Sequence, residues 1–525
     1  MLPTEAWADL AADAPCSRPE PGSDVRPPSN LFSAAGALKV DMDYLTDLDR
    51  QSRTLFCLRT KEGDQSPTLH VQPGDTLDLT LSNRVPALPP GSPSEVISDL
   101  SSACGSTVMT EASINLHFHG TATSPACGSD QSIRTLVNPG ESFPYKVLFP
   151  ADEPPGLYWY HPHVHGNAEA AVLGGASGLI VVEGIERFYP DLAGLPERVL
   201  VVRDQTVAGE PMPGGSVPSW DLSLNYVPVA YPDFKPAVIR MSGHGQEFWR
   251  IANASADTVL NLQLVYDGVV QPLSVRALDG VPTGSQGGGR RGVPVLTDSI
   301  LLPAGSRVEL VTPPLPPGTK NALLRTLKID TGPVGDNDPA RVLATLSADD
   351  ADAPPLRAMP EPSGPVEPQR FEGLETATVT ATRKLYFSEV LSDPSNPASP
   401  TNFYITVDGA EPALFDPVNP PAITTKEGAV EDWTIENRSE EVHVFHMHQV
   451  HFQLQRRGGR PVAPEERQFL DTVQVPYWSG HGSYPSVTVR MNFQGMAVGD
   501  YVYHCHLLGH EDNGMMALIR VLPSR

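Results

Sequence analysis

No apolar run in this chain approaches the roughly 20 residues that a membrane-crossing helix needs. Positive charge is scarce: 37 lysines and arginines face 62 aspartates and glutamates, for a net charge of −25. A surface of that sign gains nothing from phosphate backbones or anionic lipid, which argues against nucleic-acid and membrane partners. Charged residues make up only 19% of the chain and hydrophobic ones 40%, too apolar a balance for disorder despite 44 Gly and 55 Pro. Long stretches of 3.6-residue periodicity are missing as well. So many turn-formers between short alternating runs predict an all-β protein, and 525 residues predict about three domains.

Cysteine is sparse too, at five. Cys505 stands apart between two histidines, which leaves Cys16, Cys57, Cys104 and Cys127. An oxidising compartment with one or two disulfides is one reading, and Cys104–Cys127, which bracket a histidine motif, are the first pair to expect. Four unpaired thiols is the other. No leader is visible in the acidic, Pro-rich residues 1–22, although trimming would leave the same picture. The expected location is periplasmic or extracellular.

Residues 1–30 read as an arm without periodicity. Short alternations follow, such as Thr76-Leu77-Asp78-Leu79-Thr80-Leu81 and Ile114-Asn115-Leu116-His117-Phe118-His119. Residues 83–102 and 284–292 read as loops, and the acidic, Pro-rich stretch near 348–373 as a linker. The predicted division is an arm (1–30), domains at 31–185, 186–347 and 374–525, and the linker at 348–373.

The chain repeats itself. Trp433-Thr434-Ile435-Glu436-Asn437 leads into His443, His446 and His448. At a constant offset of 184, Trp249-Arg250-Ile251-Ala252-Asn253 leads into Val259, Leu262 and Leu264. Residues 157–163 likewise match 500–506, with Pro162 where the later copy has Cys505. Three copies of one β-domain account for this. The first copy keeps paired histidines without the thiolate; the middle copy has apolar residues there and is expected to be a spacer.

The chemistry concentrates in Tyr503-His504-Cys505-His506, followed by His510 and Met515. Alternate side chains of a strand point to opposite faces, so Cys505 looks one way and His504 and His506 the other. A thiolate, imidazoles and a thioether ten residues on make the ligand set of a His2Cys copper centre with a weak axial Met; Met516 is the rival for the axial place. Three more His-x-His pairs, His117/His119, His161/His163 and His446/His448, each offer two imidazoles from one face. Eight imidazoles suit three ions better than one. Structural zinc would want closed, Cys-rich sets, and chance scarcely places eight of 15 histidines in four such pairs. His165 and His451, beside the motifs, read as packed or exposed, and His70, His244 and His481 as surface.

The His-Phe-His-Gly, Trp-Tyr-His-Pro-His, His-x-x-His-x-His and His-Cys-His-x-x-x-His-x-x-x-x-Met segments resemble, in order, the four copper signatures of three-domain multicopper oxidases of laccase-like type. The resemblance spans roughly residues 30–525. It implies three cupredoxin-like Greek-key domains and four copper ions: type 1 on His443, Cys505, His510 and axial Met515; type 2 on His117 and His446; one type 3 ion on His119, His161 and His506; the other on His163, His448 and His504. It implies acid relays at Glu511 and Asp130, the latter at slightly longer spacing than in many members; a solvated or helix-capping carboxylate is the plain alternative for both. Asp471-Thr472-Val473 resembles a family strand and receives no catalytic role.

The implied activity is one-electron oxidation of phenols or aromatic amines coupled to reduction of O2 to water, by a monomer acting on a small reducing substrate. An axial Met implies a modest type 1 potential. Oxidation of Cu(I), Fe(II) or Mn(II) is the main alternative, although the 11 methionines are scattered rather than gathered in one insertion. A copper-binding or coat protein without turnover is a third reading.

Overall fold

The computed structural model describes residues 14–97, 103–207, 215–243, 245–285, 291–349, 370–396 and 398–524. Residues 1–13 of the expected arm, 98–102 and 286–290 of the expected loops, 350–369 of the expected linker, and His244 lie outside them.

Each third of the chain wraps two main sheets around its own core, and the first adds two two-stranded ribbons. In the first, a five-stranded sheet runs in the order Asn30–Phe32, Thr68–Val71, Gly178–Val182, Gly156–His161, His117–His119, beside a four-stranded sheet from Ser142–Leu148 to Thr54–Thr60. The middle third carries an eight- and a six-stranded sheet, and the last a seven- and a five-stranded one. Leu79 and Tyr160 in the first core, Trp249 and Leu262 in the second, and Trp433 and Phe445 in the third are buried where the sequence alternation turns apolar residues inward.

The same topology recurs. An early strand pairs in parallel with a later one in every third: Ala37–Leu48 with Thr76–Asn83, Glu197–Thr206 with Phe248–Asn253, Ala381–Leu391 with Val430–Asn437. The second of those strands ends each time in an asparagine. Asn83, Asn253 and Asn437 each donate through Nδ2 to two main-chain carbonyls, closing the corner that follows. Trp249 and Trp433 also donate to equivalent acids, Glu247 and Glu431, which pair in turn with Arg198 and Arg383. The fold is all-β, with three cupredoxin-like domains.

The described part of the arm is tied down. Cys16 is bonded to Cys57, Arg18 lies over the Tyr226 ring, and Asp24 bridges Val238. The other disulfide joins Cys104 and Cys127. Closing loops of 41 and 23 residues removes about 3–4 kcal/mol of unfolded-chain entropy each. Two short helices, Ala168–Leu173 and Leu508–Asp512, follow the His-x-His segments of the first and last thirds.

Candidate metal centre

Two antiparallel pairings set the site. His117 lies opposite His161 in the first third, and His446 opposite His504 in the last. Phe445 lies opposite Cys505. Period-two alternation therefore sends the four His-x-His pairs into one space and the Cys505 sulfur to the far side of its strand.

On the sulfur side, Cys505 Sγ lies 3.7 Å from His443 Nδ1 and 3.8 Å from His510 Nδ1, and those two nitrogens are 3.1 Å apart. Sulfur and two ring nitrogens thus form a trigonal set. The outer nitrogens are held: His443 Nε2 meets Ser439 Oγ at 2.6 Å, and His510 Nε2 lies 3.3 Å from Glu441 Oε1. Burial pushes the Cys505 thiol well up and drives His510 down to about 3. A neutral imidazole pair with a thiol that needs a cation to ionise fits a soft metal ion. Met515 is buried in the same core as Cys505, and its carbonyl accepts the Cys505 N–H at 3.0 Å. Met516 belongs to a different cluster, with Val502 and Leu518.

Behind the strand, eight imidazoles meet. His163, His448 and His504 bring their Nε2 atoms to 3.1, 3.2 and 3.3 Å of one another. Their centroid lies about 2 Å from each, a metal–imidazole bond length. His506 Nε2 approaches His119 Nδ1 at 3.2 Å, and His161 lies beside both. His117 and His446 share a potential metal group with His448.

The opposite ring atoms decide which nitrogen is free. His117 Nδ1 donates to Asp130, His161 Nδ1 to the Pro162 carbonyl, and His446 Nδ1 to the Asp471 carbonyl. Each leaves a buried Nε2 without a hydrogen-bond partner. Burial pushes these imidazoles well below their usual range, so their lone pairs are unprotonated. Orphaned, neutral, converging nitrogens are what transition-metal ions require, and the residues present fit copper at both sites.

Asp130 and Glu511 are buried beside the imidazoles. Asp130 accepts from His117 Nδ1 at 2.9 Å, from the Phe118 N–H at 3.0 Å and from Gln449 Nε2 at 2.5 Å. Glu511 reaches toward His504 Nδ1 (3.3 Å) and His163 Nδ1 (3.6 Å) and receives no hydrogen bond among the described residues. Burial pushes both carboxyls well up.

Some expectations need correction. His70 is buried, not on the surface: its ring bonds Glu183 and Asn30 and stacks on Phe32. His481 is exposed as expected, His165 packs on Phe415, and buried His451 donates to the Asp279 carbonyl. His443 is fully buried, leaving His510 as the partly exposed member of the trigonal set. Asp471 was given no role, yet its carboxylate lies 3.1 Å from His119 Nε2.

Residues 108–186 and 393–525 match family models described as multicopper oxidase. A multicopper oxidase of Staphylococcus aureus is 22% identical over 410 residues, 77% of this chain and 76% of that one. Among solved structures, a Campylobacter jejuni multicopper oxidase described as a metallo-oxidase superposes with a TM-score of 0.67 at 19% identity, covering 97% of this chain and 96% of that one. The Ochrobactrum laccase-like enzyme CueO, described as active towards lignin model compounds, gives 0.65 at 19% identity, covering 95% and 100%.

Proposed function

Since the chain is a multicopper oxidase, and so an oxidoreductase, we propose that it is laccase-like, taking single electrons from phenols or aromatic amines and passing them to dioxygen. In this reading His443, Cys505, His510 and Met515 would hold a type 1 copper, and His117 and His446 a type 2. His119, His161 and His506 would hold one type 3 ion, and His163, His448 and His504 the other. When bound, the copper would supply one-electron acceptance on the sulfur side and reduction of dioxygen to water among the eight imidazoles.

The register of the Gly499–Cys505 strand carries the reading, with Cys505 opposite Phe445 and His504 opposite His446. Sulfur on one face and imidazoles on the other make the main chain at Cys505 a short covalent route between the two sites. On the donor side, His510 offers an edge while Phe403 stacks on its ring at 4.2 Å. On the acceptor side, reduction of dioxygen consumes four protons. Asp130 and Glu511, whose carboxyls burial pushes up, lie within reach of His117, His163 and His504 and would relay those protons.

A second reading, oxidation of Fe(II), Mn(II) or Cu(I), draws support from the acids on the donor side. Glu441 lies 3.3 Å from His510 and shares a hydrogen bond with Glu389. Steady-state rates on a methoxyphenol against Fe(II) and Cu(I) decide between the two: the phenol is expected to turn over faster, and a metal ion that wins by tenfold or more sinks the laccase assignment. Two disulfides support a periplasmic or extracellular location. A monomer is the proposed form, to be checked by light scattering.

A further inference from the structure

The third without a metal motif reaches the imidazole cluster through one buried ion pair. Arg307 of the middle third places Nη1 2.8 Å from Asp471 Oδ1 and Nη2 2.6 Å from Asp471 Oδ2, and both side chains are about 1% exposed. Two further donors go to Leu157 O of the first third (Nε, 3.1 Å) and Gly305 O (Nη1, 3.0 Å). Asp279, also of the middle third, accepts the Arg307 N–H with one oxygen and the N–H groups of Asp471 and Thr472 with the other. Asp471 is thus held through both its side chain and its main chain by residues more than 160 positions away.

Asp471 in turn addresses two imidazoles. Its carboxylate Oδ1 accepts from His119 Nε2 at 3.1 Å, and its carbonyl accepts from His446 Nδ1 at 2.7 Å. The nitrogens left free are His119 Nδ1, which points at His506, and the orphaned His446 Nε2. His119 therefore presents the opposite ring nitrogen from His117, His161 and His446. Close fit seals the contact. A Cβ on Gly120 would lie 2.3 Å from Arg307 Nη2 and 2.5 Å from Asp471 Oδ2, and one on Gly305 would lie 2.9 Å from the His506 ring.

We propose that Asp471, clamped by Arg307 and Asp279, is a positioning residue that sets which ring nitrogens His119 and His446 offer to metal, so that the middle third is a working part of the three-ion site. A carboxylate that orients a ligand imidazole governs its tautomer and its basicity. An arginine fork fixes that carboxylate in a plane as a lysine cannot.

The inference rests on the multicopper reading, and the test separates the two. Copper-loaded wild type, Asp471→Ala, Asp471→Asn and Arg307→Lys are dialysed against a graded chelator. Copper per chain, the thiolate-to-copper band, the type 2 EPR signal and the near-ultraviolet type 3 band are then read, with thermal unfolding as the check on folding. Expected is a roughly 10–100-fold weaker hold on cluster copper in Asp471→Ala, with altered type 2 and type 3 signals and an unchanged thiolate band. Arg307→Lys should fall between it and wild type. Unchanged copper retention and cluster signals in both Asp471 variants overturn the proposal. So does a loss that takes the thiolate band with it in Asp471→Asn and Arg307→Lys, since that is general unfolding. Wild type without a thiolate band overturns the multicopper assignment instead.

Discussion

His163 Nε2 and His504 Nε2 lie 3.3 Å apart although 341 positions separate them in the chain. Both rings are neutral and buried, and both turn lone pairs toward the same point. Two such nitrogens hold each other off unless a cation lies between them, so the first and last thirds meet across a contact that metal completes.

Copper loading should therefore stabilise the whole chain. Binding at 100 times the dissociation constant adds about 2.7 kcal/mol per site. Calorimetry of metal-free and copper-loaded protein is expected to give a transition several degrees higher for the loaded form. Coincident transitions would mean that the imidazole cluster takes up no metal.

Cys505→Ser should remove the intense thiolate-to-copper band and leave the type 2 EPR signal in place, because the serine oxygen projects on the sulfur side of the strand only. Visible and EPR spectra of the same sample check this. A variant that stays blue would contradict the trigonal site at Cys505.

Glu511→Gln and Asp130→Asn should slow dioxygen reduction by about 10²-fold or more, since each removes a carboxyl proton carrier. Anaerobic bleaching of the thiolate band by a phenol should keep its wild-type rate, because neither acid touches the donor side. Stopped-flow traces with and without oxygen separate the two half-reactions.

The lowered imidazoles should cost the metal-free protein stability on acidification. Burial lowers His504 and His510 to about 3 from an ordinary 6.5. Between those values the unfolded chain binds more protons than the folded one, so stability rises with pH across the window and is lost as pH drops through it. Asp130 and Glu511, which burial raises, act with the opposite sign, so denaturant midpoints are expected to fall more steeply between pH 7 and pH 4 in an Asp130→Asn, Glu511→Gln variant than in wild type. Identical profiles would mean that these carboxyls are not raised in the fold.

The convergence of the paired histidines was legible because period-two spacing is local: two histidines two positions apart share a face whatever the rest of the chain does. The matching Trp-to-Asn segments at 249–253 and 433–437 betrayed the repeat through local spacing as well. Asp471 was legible only as part of a family-like strand, since its partner Arg307 lies 164 positions away. His70 failed likewise, because the Glu183 that buries it is 113 residues on. Pairing of Cys16 with Cys57 depends on how residues before the first strand lie back on the domain, which no spacing records.

His510 is the partly exposed member of the trigonal set, and Phe403 covers one face of its ring. On the proposed reading, an electron donor would have no need to enter the protein, because touching one imidazole edge would suffice. Reducing groups on a polymer or a solid surface would then be served as well as dissolved molecules. An electrode held against that edge should draw a catalytic current from dioxygen with no mediator, and one facing the opposite end of the molecule should not.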